Sequence, residues 1–272
     1  MKQKQKTILL LGNYRPTLTL ARTLKNRGYR IIVGSHGNEA TCDHSNAVSK
    51  IWHHSPLSMG ADQFKSELLR LQELEPDLFA LYPVAEEYAR LFAEHQNKFS
   101  SFKIITVAPD IVNKCLDKNF MMDLALEQNI PTAPFAATSN TYEFDQAIKS
   151  IGFPLIVRPK DSTKRLDSKK AIFLEDTNAL IRFEKEIQLG QSDLLVQKKF
   201  TGKRHNIYFA AQDGKLVKSL HALIERTDFI DGTGLAVEGV TLDAKGDLLE
   251  QTKSLLRALN YSGIGCAQFL VD

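Results

Sequence analysis

Apolar runs alternate with helical patterns over the first hundred residues. The runs 7–11 and 29–34 are short and almost continuously apolar, which is typical of strands buried on both faces. Between them, Pro16 opens a predicted helix that continues to Arg27, and Gly28 suits the left-handed position after it. The same alternation predicts further strands over 77–84 and 103–107, and helices over 64–74 and 86–99. Strands and helices in this order predict a doubly wound parallel sheet.

The pattern changes near residue 109, where strands are joined by turns as well as by helices. Predicted strands lie at 153–159, 171–174, 193–200 and 265–272, with a hairpin around Gly214, and predicted helices at 117–129, 142–150, 178–189 and 245–260. The segment 130–135 is a proline-punctuated extended connector. This order predicts an α+β region that follows the α/β region.

Composition excludes several function classes. A chain of 272 residues with 43% hydrophobic and 25% charged residues is typical of a globular protein of about two domains. The net charge of +3 is too small for a nucleic-acid arm or a membrane-surface protein. No apolar run approaches the ~18–20 residues that span a bilayer, and the run at 7–11 is too short for a signal peptide. We therefore expect a cytoplasmic protein with no nucleic-acid or membrane partner.

Cysteine and histidine positions do not indicate a metal site. The three cysteines are too far apart for metal-ligand spacing, and we interpret Cys42, Cys115 and Cys266 as structural. His53 and His54 are adjacent, so on a strand or helix they face different ways, and we predict a polar loop there.

Two segments are candidates for anion binding. The turn 12–15 after the first strand lacks the GxGxxG fingerprint of dinucleotide sites, and both a structural turn and a small-anion site with Asn13 and Arg15 stay open. The segment 158–170 has six basic and two acidic residues, a charge of +4. Such a loop suits a polyphosphate, and the alternative is a solvated hairpin tip. No aromatic residues interleave with these cations, which disfavours nucleic acid.

Five segments occur in the order that is typical of one family. They are CLDKNFMMDLALEQNIPTAPF, FPLIVRPK, LLVQKKFTG, IER with the GTG at 232–234, and YSGIGCAQFLVD. Together they resemble the ATP-grasp superfamily, most of all carbamoyl phosphate synthetase large chains and carboxylate–amine ligases. The resemblance implies an α/β fold class: a doubly wound pre-ATP-grasp domain at 1–108 and an α+β ATP-grasp domain at 109–272. The small lobe would lie at about 131–192, and the hinge with part of the large lobe at about 193–272.

The resemblance also implies a site. Lys118 and Arg158 would hold nucleotide phosphate, with Lys160 as a further phosphate ligand. The hinge strand would line the adenine through Lys198, Lys199 and Phe200. Gln268 stands where the family places its first metal ligand and would coordinate Mg²⁺. The implied cofactors are ATP and Mg²⁺, and no residue is assigned to catalysis.

The sequence departs from the family pattern at four places. The segment KDSTKRLDSKK has no glycine, Gln197 replaces a common Glu, and Lys203, Arg204 and His205 stand where a ribose-binding carboxylate is common. The chain also ends at Asp272, before the family's Glu-x-Asn metal segment. We therefore expect this chain to be incomplete and inactive by itself.

The function implied is ATP-dependent activation of a carboxylate as an acylphosphate, which an amine then attacks. The partners would be small-molecule carboxylates and amines, and a homo-oligomer is one option for assembly. The alternative is a non-catalytic nucleotide- or anion-binding module of the same fold. Continuation of the natural reading frame into a Glu-x-Asn segment would favour the enzyme.

Overall fold

The structure is a computed structural model, and it describes residues 5–186, 193–229 and 234–272. The chain divides into two compact units, 1–112 and 113–272. The domain boundary at 108/109 stays a prediction. Among the described residues, no helix combines the length and the apolar character that a membrane crossing requires.

The first unit is built on a parallel sheet of four strands. The strands are β1 (Thr7–Leu11), β2 (Arg30–Ser35), β3 (Lys50–His53) and β4 (Leu78–Pro83), in the order β3-β2-β1-β4. The helices are α1 (Arg15–Asn26), α2 (Ala61–Leu74) and α3 (Glu86–Glu94), with short 3₁₀ turns at Leu57–Met59 and Gln96–Phe99.

Strand β1 is buried along its whole length because both of its faces are covered. Leu9 and Leu11 pack in a core cluster with Phe64 of α2. Leu10 packs in a second cluster, with Ala21 of α1. Successive side chains of a strand point to opposite faces, so two cores need two sets of apolar residues. This explains the continuous apolar run.

Two predictions for this unit were wrong. The strand expected at 103–107 is a single bridge between Leu81 and Ile104. Strand β3 lies where a polar loop was predicted, because it is an edge strand without the apolar run of a central one. The opposite orientation of the two histidines is confirmed: His53 is exposed, whereas His54 is buried and hydrogen-bonds the Tyr88 hydroxyl at 2.9 Å.

The second unit contains two antiparallel sheets, of which the first is the small sheet. Its strands are β5 (Phe135–Thr138), β6 (Leu155–Pro159), β7 (Ile172–Leu174) and β8 (Leu194–Lys198), in the order β5-β8-β6-β7. The helices along this stretch are α4 (Pro109–Leu116), α5 (Lys118–Glu127), α6 (Thr141–Ile151) and α7 (Thr177–Glu186). The helix predicted over 117–129 is α5, which starts after the extended, capping Asp117, whereas α4 was not predicted.

The second antiparallel sheet of this unit is the large sheet. Its strands are β9 (Lys203–Gln212), β10 (Lys215–Thr227), β11 (Ala236–Leu242) and β12 (Gly263–Val271), in the order β11-β10-β9-β12, with helix α8 (Asp247–Leu259) before β12. The predicted hairpin is confirmed: Asp213 and Gly214 form its two-residue turn, with φ of 49° and 71°. Strand β11 was not predicted. Of the GTG at 232–234, the first two residues lie outside the described residues.

The α/β class, with one parallel sheet and antiparallel sheets after it, is confirmed. The doubly wound course of the first domain and the incompleteness of the second stay predictions.

Candidate functional site

The Arg158 guanidinium lies on the small sheet without a compensating charge. Its Nη2 donates a hydrogen bond of 2.8 Å to the Gln197 Oε1, and its Nε is buried with no partner. Among the described residues, no carboxylate lies within ion-pair distance of it. Burial lowers the pKa of Arg158, but a guanidinium stays charged at neutral pH. The Gln197 amide is neutral, so the site has a positive charge to offer.

The alternation of β6 places Arg158 on the face opposite the core. Leu155 and Val157 pack with Phe144 of α6 and Phe183 of α7. Arg158 is one residue away from Val157, so it projects from the other face. The register shows which side chains share this second face, and they are Phe135, Ala137, Ile156, Phe173, Leu195 and Gln197. This face therefore combines apolar and aromatic surface with one cation.

Two lysines lie at the carboxyl end of β6. The Lys118 backbone N–H donates to the Lys160 carbonyl at 2.9 Å, and its Nζ donates to the Pro159 carbonyl at 3.0 Å. The Lys160 Nζ lies 3.4 Å from the Asp117 Oδ2. The structure thus brings Lys118 and Lys160, far apart in sequence, to the strand that carries Arg158.

The basic segment that follows β6 is attached to the core through Leu166, which is 5% exposed and belongs to the cluster under the small sheet. Leu166 and Lys169 exchange two backbone hydrogen bonds, of 2.9 and 2.8 Å. The turn between them has Asp167 and Ser168 at positive φ, 44° and 63°, where glycine would be usual. Its cations Lys164, Arg165, Lys169 and Lys170 are exposed. The segment therefore offers side-chain cations rather than a glycine-rich backbone cradle.

The predicted hinge residues have separate surroundings. The Lys198 Nζ donates to the carbonyls of Gly152 and Phe153, at 3.1 and 2.5 Å. The Lys199 Nζ forms an ion pair with Glu175 and lies 5.1 Å from the centre of the Phe173 ring. Phe200 is 42% exposed. Both lysine side chains are thus engaged with the protein. Two backbone N–H groups are engaged as well: that of Lys198 donates to the Pro134 carbonyl at 2.8 Å, and that of Lys199 donates to the Pro154 carbonyl at 3.0 Å. Contact of 198–200 with a base stays a prediction.

Gly202 lies where the connection between the two sheets approaches β12. A Cβ atom added there would lie 2.7 Å from the Val271 carbonyl oxygen and 2.9 Å from the Phe200 Cε1. Backbone cannot yield as a flexible side chain can, so this close approach requires glycine.

Three polar side chains share one face of the large sheet, and we call them the amide–guanidinium patch: Arg204, Asn206 and Gln268. Gln268 is directly opposite Asn206 in the register of β12 and β9, and Arg204 alternates with Asn206 along β9. Asn206 is 2% exposed; its Nδ2 donates to the Tyr208 hydroxyl at 3.0 Å, and its Oδ1 has no partner. The Arg204 Nη1 donates to the Gly234 carbonyl at 3.1 Å, and its buried Nε has no partner.

The amide–guanidinium patch does not fit a protein-held Mg²⁺, which prefers carboxylate oxygens. Gln268 and Asn206 are neutral amides, and Arg204 alternates with Asn206 at about 7 Å along the strand. At that distance a divalent cation would be repelled by roughly 1 to 5 kcal/mol, depending on the dielectric constant. Asp272 is four residues from Gln268, about 13 Å along an extended chain. Among the described residues, no three His, Cys, Asp or Glu side chains cluster as metal ligands.

Sequence reasoning missed Asn206 and the role of Gln197. The alternation of β9 signals that Asn206 shares a face with Arg204, but only the register places it opposite Gln268. Likewise, Gln197 and Arg158 are 39 residues apart, and only strand pairing brings them together.

The turn after β1 in the first unit is structural at Asn13. The Asn13 side chain is 1% exposed and fully engaged: its Nδ2 donates to the Glu39 carbonyl and the Asp43 carboxylate, and its Oδ1 accepts from the Cys42 N–H. This favours the structural-turn alternative for Asn13. Nearby, burial raises the pKa of Tyr14, and together with the carboxylates of Glu87 and Glu39 it brings that pKa to about 12.

No model of a known protein family matches the chain. The chain is 22% identical over 256 residues to the carbamoyl phosphate synthase large chain of Clostridium acetobutylicum. The matched segment covers 92% of this chain and 23% of that protein. The chain thus spans about a quarter of that relative's length.

Solved structures share the arrangement of elements. An ADP complex of N5-carboxyaminoimidazole ribonucleotide synthetase superposes with a TM-score of 0.73 at 13% identity, covering 97% of this chain and 66% of that one. The L-amino acid ligase of Bacillus licheniformis superposes with a TM-score of 0.72 at 10% identity, covering 100% of this chain and 64% of that one. A biotin carboxylase–β,γ-ATP complex from Campylobacter jejuni superposes with a TM-score of 0.66 at 17% identity, covering 98% of this chain and 62% of that one. These proteins belong to the ATP-grasp superfamily.

The chain has the ATP-grasp fold. The resemblance inferred from the five ordered segments is thereby confirmed. Within the ATP-grasp fold of this chain, the small sheet carries Arg158 and the large sheet carries the amide–guanidinium patch.

Proposed function

We propose that the chain binds an adenine nucleotide in its second unit and serves an ATP-dependent ligase reaction. The observation that carries the proposal is the Arg158 guanidinium, which is bound by a neutral amide and has a buried Nε without a partner. A buried charge without a counter-ion is costly, and an anionic ligand would remove that cost. A nucleotide phosphate is such a ligand, and guanidinium groups bind phosphate well.

Other side chains at the small sheet support a nucleotide in particular. Lys118 and Lys160 place two more cations at the end of β6, which suits a chain of phosphates, and a phosphate there would compete with Asp117 for Lys160. Ile156 and Phe173 provide apolar and aromatic surface on the same face as Arg158. The backbone of Lys198, Lys199 and Phe200 continues from this sheet, and we assign it to the edge of the adenine.

The reaction we propose has two steps. The γ-phosphoryl group of ATP passes to a carboxylate oxygen of the first substrate, which yields ADP and an acylphosphate. An amine then attacks the acyl carbon, and inorganic phosphate leaves with the electrons of the bond that breaks. Arg158, Lys118 and Lys160 would hold the phosphates, since phosphoryl transfer depends mostly on positioning and charge stabilisation. The names of the carbamoyl phosphate synthase and the L-amino acid ligase support this class of reaction. The substrates would be small carboxylic acids and amines.

A second candidate is a non-catalytic nucleotide-binding module of the same fold. The amide–guanidinium patch favours it, because two neutral amides and a cation stand where a metal-dependent ligase would need carboxylates.

Calorimetric titration with ATP, ADP and AMP tests the nucleotide site. We expect binding of ATP and ADP, and a loss of about tenfold or more in affinity for Arg158→Gln, which removes charge-assisted hydrogen bonds. Arg182→Gln is the matched control, since Arg182 is exposed on α7. An unchanged affinity of Arg158→Gln would overturn the assignment of Arg158.

Steady-state release of ADP separates the two candidates. A ligase releases ADP only when a suitable carboxylate and amine are both present. Saturable binding of ATP without ADP release, over a panel of amino acids and small acids, would favour the module.

A further inference from the structure

We infer that the amide–guanidinium patch binds the anionic part of the nucleotide directly, so that nucleotide binding does not require a divalent metal. The inference rests on the proposed function, because it concerns how the nucleotide is bound. It goes beyond the proposed function, because it assigns to Arg204, Asn206 and Gln268 the contact with phosphate that a protein-held metal would otherwise make.

Two buried polar atoms of the patch lack partners among the residues that the structure describes. They are the Nε of Arg204 and the Oδ1 of Asn206, whose side chain is 98% buried. Buried polar groups in proteins are almost always hydrogen-bonded, so two such atoms on alternate residues of one strand face indicate a missing ligand. The single bond of Arg204 to the Gly234 carbonyl leaves most of its five donors available.

The Asn206 amide suits an anion in one of its two orientations. With its oxygen and nitrogen exchanged, the oxygen accepts a hydrogen bond from the Tyr208 hydroxyl at the 3.0 Å contact. The nitrogen then occupies the position without a partner and donates to a ligand. In this orientation Arg204 and Asn206 both present N–H donors, which is what phosphate oxygens require.

Gln268 completes the patch from the neighbouring strand. Directly opposite residues of antiparallel strands have their Cβ atoms about 5 Å apart, so the amides of Gln268 and Asn206 reach a common phosphate group. The Gln268 side chain is exposed, and its amide can donate without breaking a bond within the protein.

The charge of the patch decides its dependence on metal. A carboxylate beside a polyphosphate repels it, and only a bridging metal makes the contact favourable. A guanidinium with two amides attracts the polyphosphate without assistance. The patch as it stands should therefore bind a nucleotide at least as well without Mg²⁺ as with it, because Mg²⁺ reduces the negative charge that the guanidinium attracts.

The test compares ATP affinity in excess EDTA with that in excess Mg²⁺, by calorimetry on the full chain. We expect the dissociation constant in EDTA to be equal to that in Mg²⁺ within about twofold, or smaller, and either result supports the inference. Binding that is tighter by about tenfold or more in Mg²⁺ would overturn the inference but leave the proposed nucleotide site intact. Absence of binding under both conditions would overturn both.

Variants of the patch give a second readout. We expect Gln268→Glu to weaken ATP binding in EDTA by about tenfold and to regain affinity when Mg²⁺ is added, because the new carboxylate repels the nucleotide until a metal bridges them. Arg204→Gln should weaken binding to the same extent in both media. The matched control is Gln212→Glu, at the exposed end of β9, six residues or about 20 Å along the strand from Asn206. If Gln268→Glu behaves like Gln212→Glu, the patch does not contact the nucleotide.

Discussion

Arg158 and Gln197 are joined across the β6–β8 pair by a hydrogen bond of 2.8 Å, in which a charged donor meets a neutral acceptor. The pair orients the guanidinium without neutralising it. This relationship leaves the positive charge of Arg158 on the small sheet.

Replacing the neutral partner of Arg158 should oppose nucleotide binding. We expect Gln197→Glu to stabilise the fold by about 0.5–1.5 kcal/mol, because the hydrogen bond becomes charge-assisted. We expect the same substitution to weaken ATP binding by about tenfold, because the carboxylate competes with phosphate for Arg158. Urea unfolding and calorimetry measure the two effects. Gln212→Glu supplies the same charge change on the large sheet, and an equal loss of affinity in both variants would contradict the prediction.

A side chain at Gly202 should disturb the connection between the two sheets. A Cβ atom would lie 2.7 Å from the Val271 carbonyl, so we expect Gly202→Ala to destabilise the fold by about 1–3 kcal/mol. The neighbouring Thr201→Ala is the control, since Thr201 is exposed and should change stability by no more than about 0.5 kcal/mol. Equal midpoints of the two variants in urea unfolding would refute the close approach.

Removing the apolar anchor of the basic segment should cost stability. Leu166 is 5% exposed in the small-sheet core, and we expect Leu166→Ala to destabilise by about 2–4 kcal/mol. Leu126→Ala is the control, because Leu126 is 51% exposed on α5. A loss no greater than that of Leu126→Ala would mean that Leu166 does not anchor the segment.

The first unit should lose stability as the pH falls below neutrality. Burial lowers the pKa of His54 below its ordinary value near 6.5, so the unfolded chain takes up its proton at a higher pH than the folded chain. The contribution of neutral His54 to the free energy of unfolding is therefore complete above about pH 6.5, and it declines as the pH falls below that value. Trp52 is the chain's single tryptophan, and its ring lies 4.9 Å from the His54 ring.

Urea unfolding followed by Trp52 fluorescence at about pH 7.5 and pH 5.5 measures this effect. We expect His54→Gln to show a smaller loss between the two values, because glutamine keeps a donor and an acceptor but does not titrate in this range. If His54→Gln shows the same pH dependence as the original chain, groups other than His54 cause the loss of stability.

Much of the fold could be predicted from local patterns. The run Thr7–Leu11, the stop at Gly28 and the Asp213–Gly214 turn each have a local physical cause, and each is found in the structure. The failures have a different cause. Strands β3 and β11 lie at sheet edges, and their residues are only partly buried or exposed, so the apolar signal that marks a strand is weak there. The predicted strand at 103–107 has that signal but makes only one bridge.

The order of the elements and the residue types available for chemistry follow from local patterns in the sequence. The cations at 118, 158 and 160, the hinge at 198–200 and the amide at 268 can all be read from it. The partners of these side chains depend on strand pairing: Arg158 donates to Gln197 rather than to a carboxylate, and Gln268 lies opposite Asn206 in the register of β12 and β9. The physical reason is that strand register joins residues tens of positions apart, whereas propensity and periodicity act over a few. The charge of a site depends on those distant partners.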